Sequence, residues 1–466
     1  MRRLSCNICD YKLLIIRHYL WIRGETMEWL QYGAQHYPDR ICINEYTYKD
    51  IYGGVLHVAS GLLPLESSRM AILSDNSVTM AIYVLAAMLA HKEVLLLNVH
   101  LKPSEIENQL KPLGITTVLH SKERRNQLPS SLRAIEFEPL ESILSHLNLE
   151  DTFNWNFEAT DIVAIMNTSA TTGQFKSVPL RWGQISAHVQ ASQEVLGKTE
   201  QDNWLMVLPL FHVSGLSILM RSLYNGTAIT MLPKYDEAKV LELIETEKIN
   251  MMSLVPTILT QLEPKITHHT LRVILLGGEF IPMALIDACE KKLLPIYKTY
   301  GMTETFSQSV TFSVLDYPYK RDSVGKPLPG MQVRIDNPDA DGVGEIHLKG
   351  PMVMTGYIDK EPIDGDLNTD DIGYVDEDGF VYILNRRKDL IISGGENIYP
   401  KELEDLVYTL PEVKECAVVP VSDIKWGQVP ALFVAFNDGE SMTADAILSF
   451  MTCLLYTSPS PRDRSV

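Results

Sequence analysis

The sequence contains no apolar run of the roughly 18 residues that a bilayer-spanning helix needs, so a membrane-spanning protein is not expected. Positive charge is also short: 41 Lys and Arg stand against 59 Asp and Glu, a formal net charge of −18. Such a surface repels phosphate backbones and anionic lipids, which argues against nucleic-acid or membrane partners. Any anionic substrate must then be met by local positive groups. Cysteine is sparse and scattered, at Cys6, Cys9, Cys42, Cys289, Cys416 and Cys453. That is no disulfide framework, and the expected setting is cytoplasmic, with reduced thiols. Cys6 and Cys9 lack the second pair that a zinc site would need. The start, Met1-Arg2-Arg3 followed by Leu13 to Ile16, faintly resembles a signal peptide, but Arg17 and His18 interrupt it and no small-residue cleavage site follows. Met27 opens a plausible start of its own, so residues 1–26 are expected to be an extension outside the fold.

What is present is ordinary globular composition, with 45% hydrophobic and 21% charged residues, on a chain of 466 residues that exceeds a single core. From Met70 onward, apolar strands alternate with amphipathic stretches. Met70–Leu73 and Glu93–Val99 read as strands around a helix Val78–Ala90, and Ser104 with Glu107 reads as a capping box behind Pro103. Strands are expected at 162–167, 204–208, 227–232, 250–255, 272–276 and 294–299. Repeated βα units of this kind imply an α/β fold of helix-covered parallel sheets, with ligands at the carboxyl ends of the strands. From about Gly325, short strands and turn signals such as Asn337-Pro338-Asp339 imply a small β-rich subdomain. A last unit mixes a helix (Pro400–Leu410) with strands at 415–421 and 431–436. The expected division is a large domain over 27–387, a smaller α+β C-terminal domain over 388–453, and a foreign-looking tail over 454–466, where Ser458-Pro459-Ser460-Pro461 cuts off a helix starting near Ala444.

Four segments carry chemistry. After the strand at 162–167 comes Thr168-Ser169-Ala170-Thr171-Thr172-Gly173-Gln174-Phe175-Lys176. Hydroxyls and backbone N–H groups crowded into one turn can donate to a polyphosphate, and Lys176 adds the point charge that the acidic chain otherwise lacks. The Walker spacing GxxxxGK[ST] is absent, and alone the segment could be a Ser/Thr-rich surface turn. Tyr300-Gly301-Met302-Thr303-Glu304 ends a strand; there Thr303 can bond a phosphate and Glu304 can hold Mg2+ through hard oxygens. Asp371 is placed to accept from a ribose diol. Arg386 and Arg387 precede Lys388 and the run Ser393-Gly394-Gly395-Glu396-Asn397. Gly277-Gly278-Glu279 follows another strand, where small residues would admit an adenine, although a plain turn would look the same.

In this order and at these intervals, the four segments resemble the adenylate-forming superfamily of acyl-CoA synthetases over residues 27–453. The resemblance implies two steps in one cleft: a carboxylate attacks the α-phosphorus of ATP and expels pyrophosphate, and the thiol of coenzyme A then displaces AMP. It also implies a mobile C-terminal domain rotating about Lys388 to bring the Gly394-Gly395-Glu396 loop to the thiol. Leu208-Pro209-Leu210-Phe211-His212-Val213-Ser214-Gly215, Arg221, the segment 303–308 and Trp426-Gly427-Gln428 are similar to the o-succinylbenzoate–CoA ligases of menaquinone biosynthesis. That acid has a second carboxylate, which Arg221 or water held by Ser307 would meet; read from the residues alone, Arg221 could equally be a helix-surface arginine. His212 reads as a pocket wall or gate, because the attacking carboxylate needs no deprotonation. A homo-oligomer is left open.

The chain departs from the superfamily at Ala170, Phe175 and Ser177, where Gly, Pro and Gly are common, and at Asp370, where Gly usually precedes the aspartate. The Gly-Lys-x-x-Arg segment with the adenylation lysine does not occur, so the expectation is a polypeptide that binds ATP but adenylates poorly. Three readings stand at this point: the o-succinylbenzoate ligase, a fatty-acyl or aryl-acid CoA ligase, and a catalytically inert adenylate-binding protein.

Overall fold

The computed structural model describes residues 28–147, 150–169, 175–279, 281–386, 391–393, 396–398, 400–423 and 427–455. The readings of the amino-terminal extension, the Cys6/Cys9 pair, Ala170 and the Ser-Pro tail fall outside them.

Two large sheets form the body. The first has six strands in the order Arg133–Glu136, Thr117–His120, Arg69–Leu73, Glu93–Leu96, Ile162–Ser169 and Phe175–Arg181. All pairs are parallel except the last, a hairpin in which Thr168 faces Lys176 and Ser169 faces Phe175. The second has nine strands, with a parallel centre running Ile296–Met302, Val273–Leu276, Met251–Leu254, Asn203–Met206 and Ala228–Met231. The central strands buried on both faces are apolar almost throughout, Val273–Leu276 at every position and Met251–Leu254 at all but Ser253, because helices cover them on both sides. The helix Val78–Leu89 is buried at nearly every position, which explains why its apolar pattern runs almost unbroken.

A four-stranded antiparallel sheet (Gln332–Asp336, Gly344–Lys349, Leu367–Val375, Val381–Arg386) forms the β-rich subdomain expected after Gly325. The last unit has the strands Glu396–Ile398, Ile391–Ser393, Gly427–Phe436 and Val413–Asp423, with the helices Pro400–Val407 and Ala444–Leu455 closing a core around Val407, Leu410 and Ile447.

Two local expectations are corrected. The helix after Pro103 begins two residues earlier than the Ser104/Glu107 reading: Lys102 is the N-cap, and its backbone N–H donates to Glu105 Oε2 at 2.7 Å, while Glu107 instead accepts from Ser131. The strand at Glu93 stops at Leu96 rather than Val99, where the chain turns so that Val99 O can accept from Gln127.

Candidate active site

Three of the motifs lie at or just beyond the carboxyl end of a strand of the two large sheets, as helix-covered parallel sheets favour, whereas Asp371 lies within Leu367–Val375 of the antiparallel sheet. Gly277 and Gly278 follow Val273–Leu276; a Cβ on Gly277 would sit 2.4 Å from Thr299 O, and Gly278 has φ +87°, so both places require glycine. Gly301 is tighter still, since a Cβ there would meet Ser307 O at 1.5 Å. The reason is the hairpin Ile296–Met302/Ser307–Ser313, whose turn brings Met302 opposite Ser307 and holds Phe306 and Ser307 at φ +52° and +86°. Non-glycine residues in that region are strained, and here the strain sits in the loop carrying Thr303 and Glu304.

The nucleotide side of the cleft is a cavity of about 410 Å³ lined by Gly278, Glu279, Tyr300, Gly301 and Asp371, with Glu404 and Asp405 approaching from the helix Pro400–Val407. Tyr300 donates its hydroxyl to Asp371 Oδ2 at 2.5 Å, and the Asp371 backbone N–H donates to Thr369 Oγ1. Asp371 is 4% exposed and stands opposite Arg386 in the strand register. Asp370, the departure from glycine, has φ +60°, so the backbone keeps the left-handed conformation that aspartate tolerates better than most residues.

The phosphate turn and the Thr303-Glu304 loop meet through a residue that sequence reasoning missed. Tyr357 donates to Glu304 Oε1 at 2.8 Å, and the Lys176 ammonium lies 5.0 Å from the centre of the same ring. Burial first and the Glu304 charge second push the Tyr357 phenol up, so it stays a donor. Backbone bonds stitch the segment in place: Met354 N–H donates to Glu304 O, and Ile358 N–H to Ser177 O. Gln184 Nε2 donates to the carbonyls of Glu304 and Met352. Behind the hairpin, Asn167 accepts from Ser177 and donates to the buried Gln109. Neither Tyr357 nor Gln184 carries a periodicity or spacing signal; only the glycine before Tyr357 marks a turn.

On the acid side, His212 caps the helix Val213–Asn225 from an exposed position beside Phe211. Desolvation, then the neighbouring His100, lower its pKa. The loop leading to it is clasped by Asn76, which is 4% exposed; Asn76 donates to Leu208 O at 3.0 Å and accepts from Leu210 N–H at 2.9 Å. Arg221 is no helix-surface arginine. It is 1% exposed, lies 4.5 Å over the Trp204 ring, and donates to Gln308 Oε1 and Ser217 Oγ. Burial pulls its pKa down to about 9, which leaves it protonated at neutral pH. No carboxylate among the described residues pairs with it, and its Nε lacks a partner. His188, wholly buried with neither ring nitrogen bonded, packs edge-on against Phe306 at 5.1 Å.

The geometry thus brings together Thr168, Lys176, Thr303 and Glu304 on one side and Gly277, Gly278, Tyr300, Gly301 and Asp371 on the other. Ser307 stands at their junction, and Arg221 stands behind it rather than in the open cleft. Thr171, Thr172, Gly173, Lys388, Gly394 and Gly395, and the side chains of Ser169, Arg386 and Glu396, lie outside the description. A magnesium ion is commonly bound by one or two carboxylates plus substrate phosphates, and Glu304 beside Lys176 suits that arrangement; among the described residues no cluster of three His, Cys, Asp or Glu offers a rival site. No helix among them is long and apolar enough to cross a membrane.

Residues 30–358 match the AMP-binding enzyme family and residues 402–452 its C-terminal domain. A 2-succinylbenzoate–CoA ligase of Lactococcus lactis subsp. lactis is 53% identical over 413 residues, covering 88% of this chain and 90% of that protein. The o-succinylbenzoate CoA synthetase of Bacillus subtilis, solved with the acyl-adenylate intermediate, superposes with a TM-score of 0.81 at 32% identity, covering 93% of this chain and 92% of its own. The same B. subtilis enzyme has been solved with ATP and magnesium ion, again with a TM-score of 0.81 at 32% identity, covering 91% of this chain and 92% of its own. These likenesses place the chain among the AMP-binding enzymes and, within them, it belongs to the 2-succinylbenzoate–CoA ligases.

Proposed function

We propose that the chain joins o-succinylbenzoate to coenzyme A in menaquinone biosynthesis, through an acyl-adenylate formed from ATP. The observation that carries this reading is the joining of Lys176, Tyr357 and Glu304, on a loop that follows directly from Tyr300, whose hydroxyl bonds Asp371. Lys176 and the Thr168 hydroxyl neutralise and orient the phosphates, with Thr171, Thr172 and Gly173 of the same turn and Thr303 opposite. Glu304 holds Mg2+, which when bound withdraws charge from the phosphate oxygens. Asp371, its carboxylate held by the Tyr300 hydroxyl and its backbone by Thr369, accepts from the ribose hydroxyls, and Arg386, opposite it in the strand register, serves as a donor to the nucleotide. Gly277, Gly278 and Gly301 leave room for the adenine and its sugar.

The acid enters past His212, which serves as the wall of its pocket. Arg221 acts from behind the hairpin: its unneutralised charge favours the substrate's second carboxylate near Ser307. A long-chain fatty acid would find a buried cation there instead of an apolar end wall. Lys388 and the Gly394-Gly395-Glu396 loop take part in the thiol step.

The test supplies the protein with ATP, Mg2+ and CoA together with o-succinylbenzoate, benzoate or palmitate, and reads CoA thioester by mass spectrometry. Thioester from o-succinylbenzoate well above the others is expected. Preferential turnover of palmitate or benzoate would overturn the choice of acid while leaving the ligase chemistry standing.

A further inference from the structure

Tyr357 stands between two groups of opposite charge that both face the phosphates. Its hydroxyl occupies Glu304 Oε1, while its ring face lies under the Lys176 ammonium. Lys176 is exposed and makes no ion pair among the described residues, although the Glu304 carboxylate is on the far edge of the same ring. In an open cleft, a lysine and a glutamate at contact distance would pair and neutralise each other. Each would then be less available, the lysine to phosphate and the carboxylate to a cation. The ring blocks that collapse, and the hydroxyl commits one carboxylate oxygen and leaves the other free. The position of the ring is fixed by the backbone rather than by the charges. Its segment is pinned at both ends, by Met354 N–H on Glu304 O and Ile358 N–H on Ser177 O, one bond to each motif.

We propose that Tyr357 is a positioning residue that keeps Lys176 and Glu304 apart and presents a single Glu304 oxygen to the divalent cation. This rests on the roles given above to Lys176 and Glu304, and the experiment separates the two. ATP affinity is measured by calorimetry with excess Mg2+ and again in EDTA, for the full chain and its variants, with Tm followed to confirm folding.

Tyr357→Phe keeps the ring and loses the hydroxyl. Magnesium-dependent ATP binding should weaken about tenfold, the usual scale for losing a group that orients a metal ligand, with binding in EDTA unchanged. Tyr357→Leu removes the spacer as well, so binding in EDTA should also weaken, by about fivefold. Adding Glu304→Gln to Tyr357→Leu frees Lys176 again; the gain in EDTA binding should exceed the gain that Glu304→Gln gives in the presence of Tyr357, which makes the coupling a double-mutant cycle. Magnesium-ATP binding by Tyr357→Phe at the wild-type level, or equal Glu304→Gln gains in both backgrounds, would overturn the proposal. If instead Lys176→Ala and Glu304→Gln alone leave magnesium-ATP binding untouched, the assignment of the phosphate site itself falls.

Discussion

The cleft is served by two cations, and the protein treats them in opposite ways. Lys176 stands at the exposed start of the hairpin strand Phe175–Arg181, with its charge in water and a tyrosine ring beneath it. Arg221 is sealed at 1% exposure against Trp204, with hydrogen bonds to Gln308 and Ser217 but no carboxylate partner among the described residues. An exposed charge costs the fold almost nothing and is spent on the ligand. A buried, uncompensated charge is held by packing and neutral dipoles, so it cannot be changed without the fold responding. The contrast predicts where each variant's damage will be read.

The sharpest break is expected at the wall that the two regions share. Gly301→Ala would drive a methyl group into Ser307 O, and a loss of more than about 4 kcal/mol of stability, or no soluble protein, should be seen in thermal denaturation. Next, Arg221→Ala should lower stability by about 3 kcal/mol, through the cavity beside Trp204 and the lost bonds to Gln308 and Ser217. Lys176→Ala should do the reverse: Tm within about 1 °C of wild type, and pyrophosphate release reduced by about a hundredfold or more. Equal Tm losses for the two would erase the distinction.

A pH titration sharpens the buried side. His188 is wholly enclosed and its pKa is held well below its ordinary value, by desolvation first and by Arg221 second. Folded, it stays neutral where the unfolded chain takes up a proton, so its contribution is intact above about pH 6.5 and is lost as the pH falls below that value. Denaturant unfolding should show His188→Leu flattening the acid-side decline by up to about 1.4 kcal/mol per pH unit. The smallest effect belongs to Asp370→Gly, which relieves a positive φ and should stabilise by at most about 1 kcal/mol, with no change in nucleotide affinity.

What the sequence could reveal follows from these same distinctions. The alternation of apolar strands and amphipathic helices announced the parallel sheets, because a strand buried on both faces must be apolar along its length; Val273–Leu276 is an example. The Thr168 and Glu304 segments were legible because their chemistry is concentrated in neighbouring residues. Tyr357, Gln184 and Asn76 were not, since each acts across more than 50 positions of chain and bonds to backbone or a single carboxylate. The burial of Arg221 was equally hidden: its helix is apolar around most of its circumference, and nothing local says that Trp204 and Gln308 will close over the one charged position. The Ser104 reading failed because Glu105 sits at the position from which its carboxylate reaches back to the N-cap backbone, and Lys102 needs no capping side chain for that bond.

The Asn76 clasp has a mechanical corollary. Asn76 follows a strand of the six-stranded sheet, and Leu208 and Leu210 follow one of the nine-stranded sheet, so a single carboxamide rivets the two sheets together at their functional rims. Any breathing that parts the sheets there must strip a half-buried carbonyl and a buried amide of their partner at once. The doorway bearing His212 is thereby tied to the far sheet, and its alignment becomes a property of the whole body rather than of one loop.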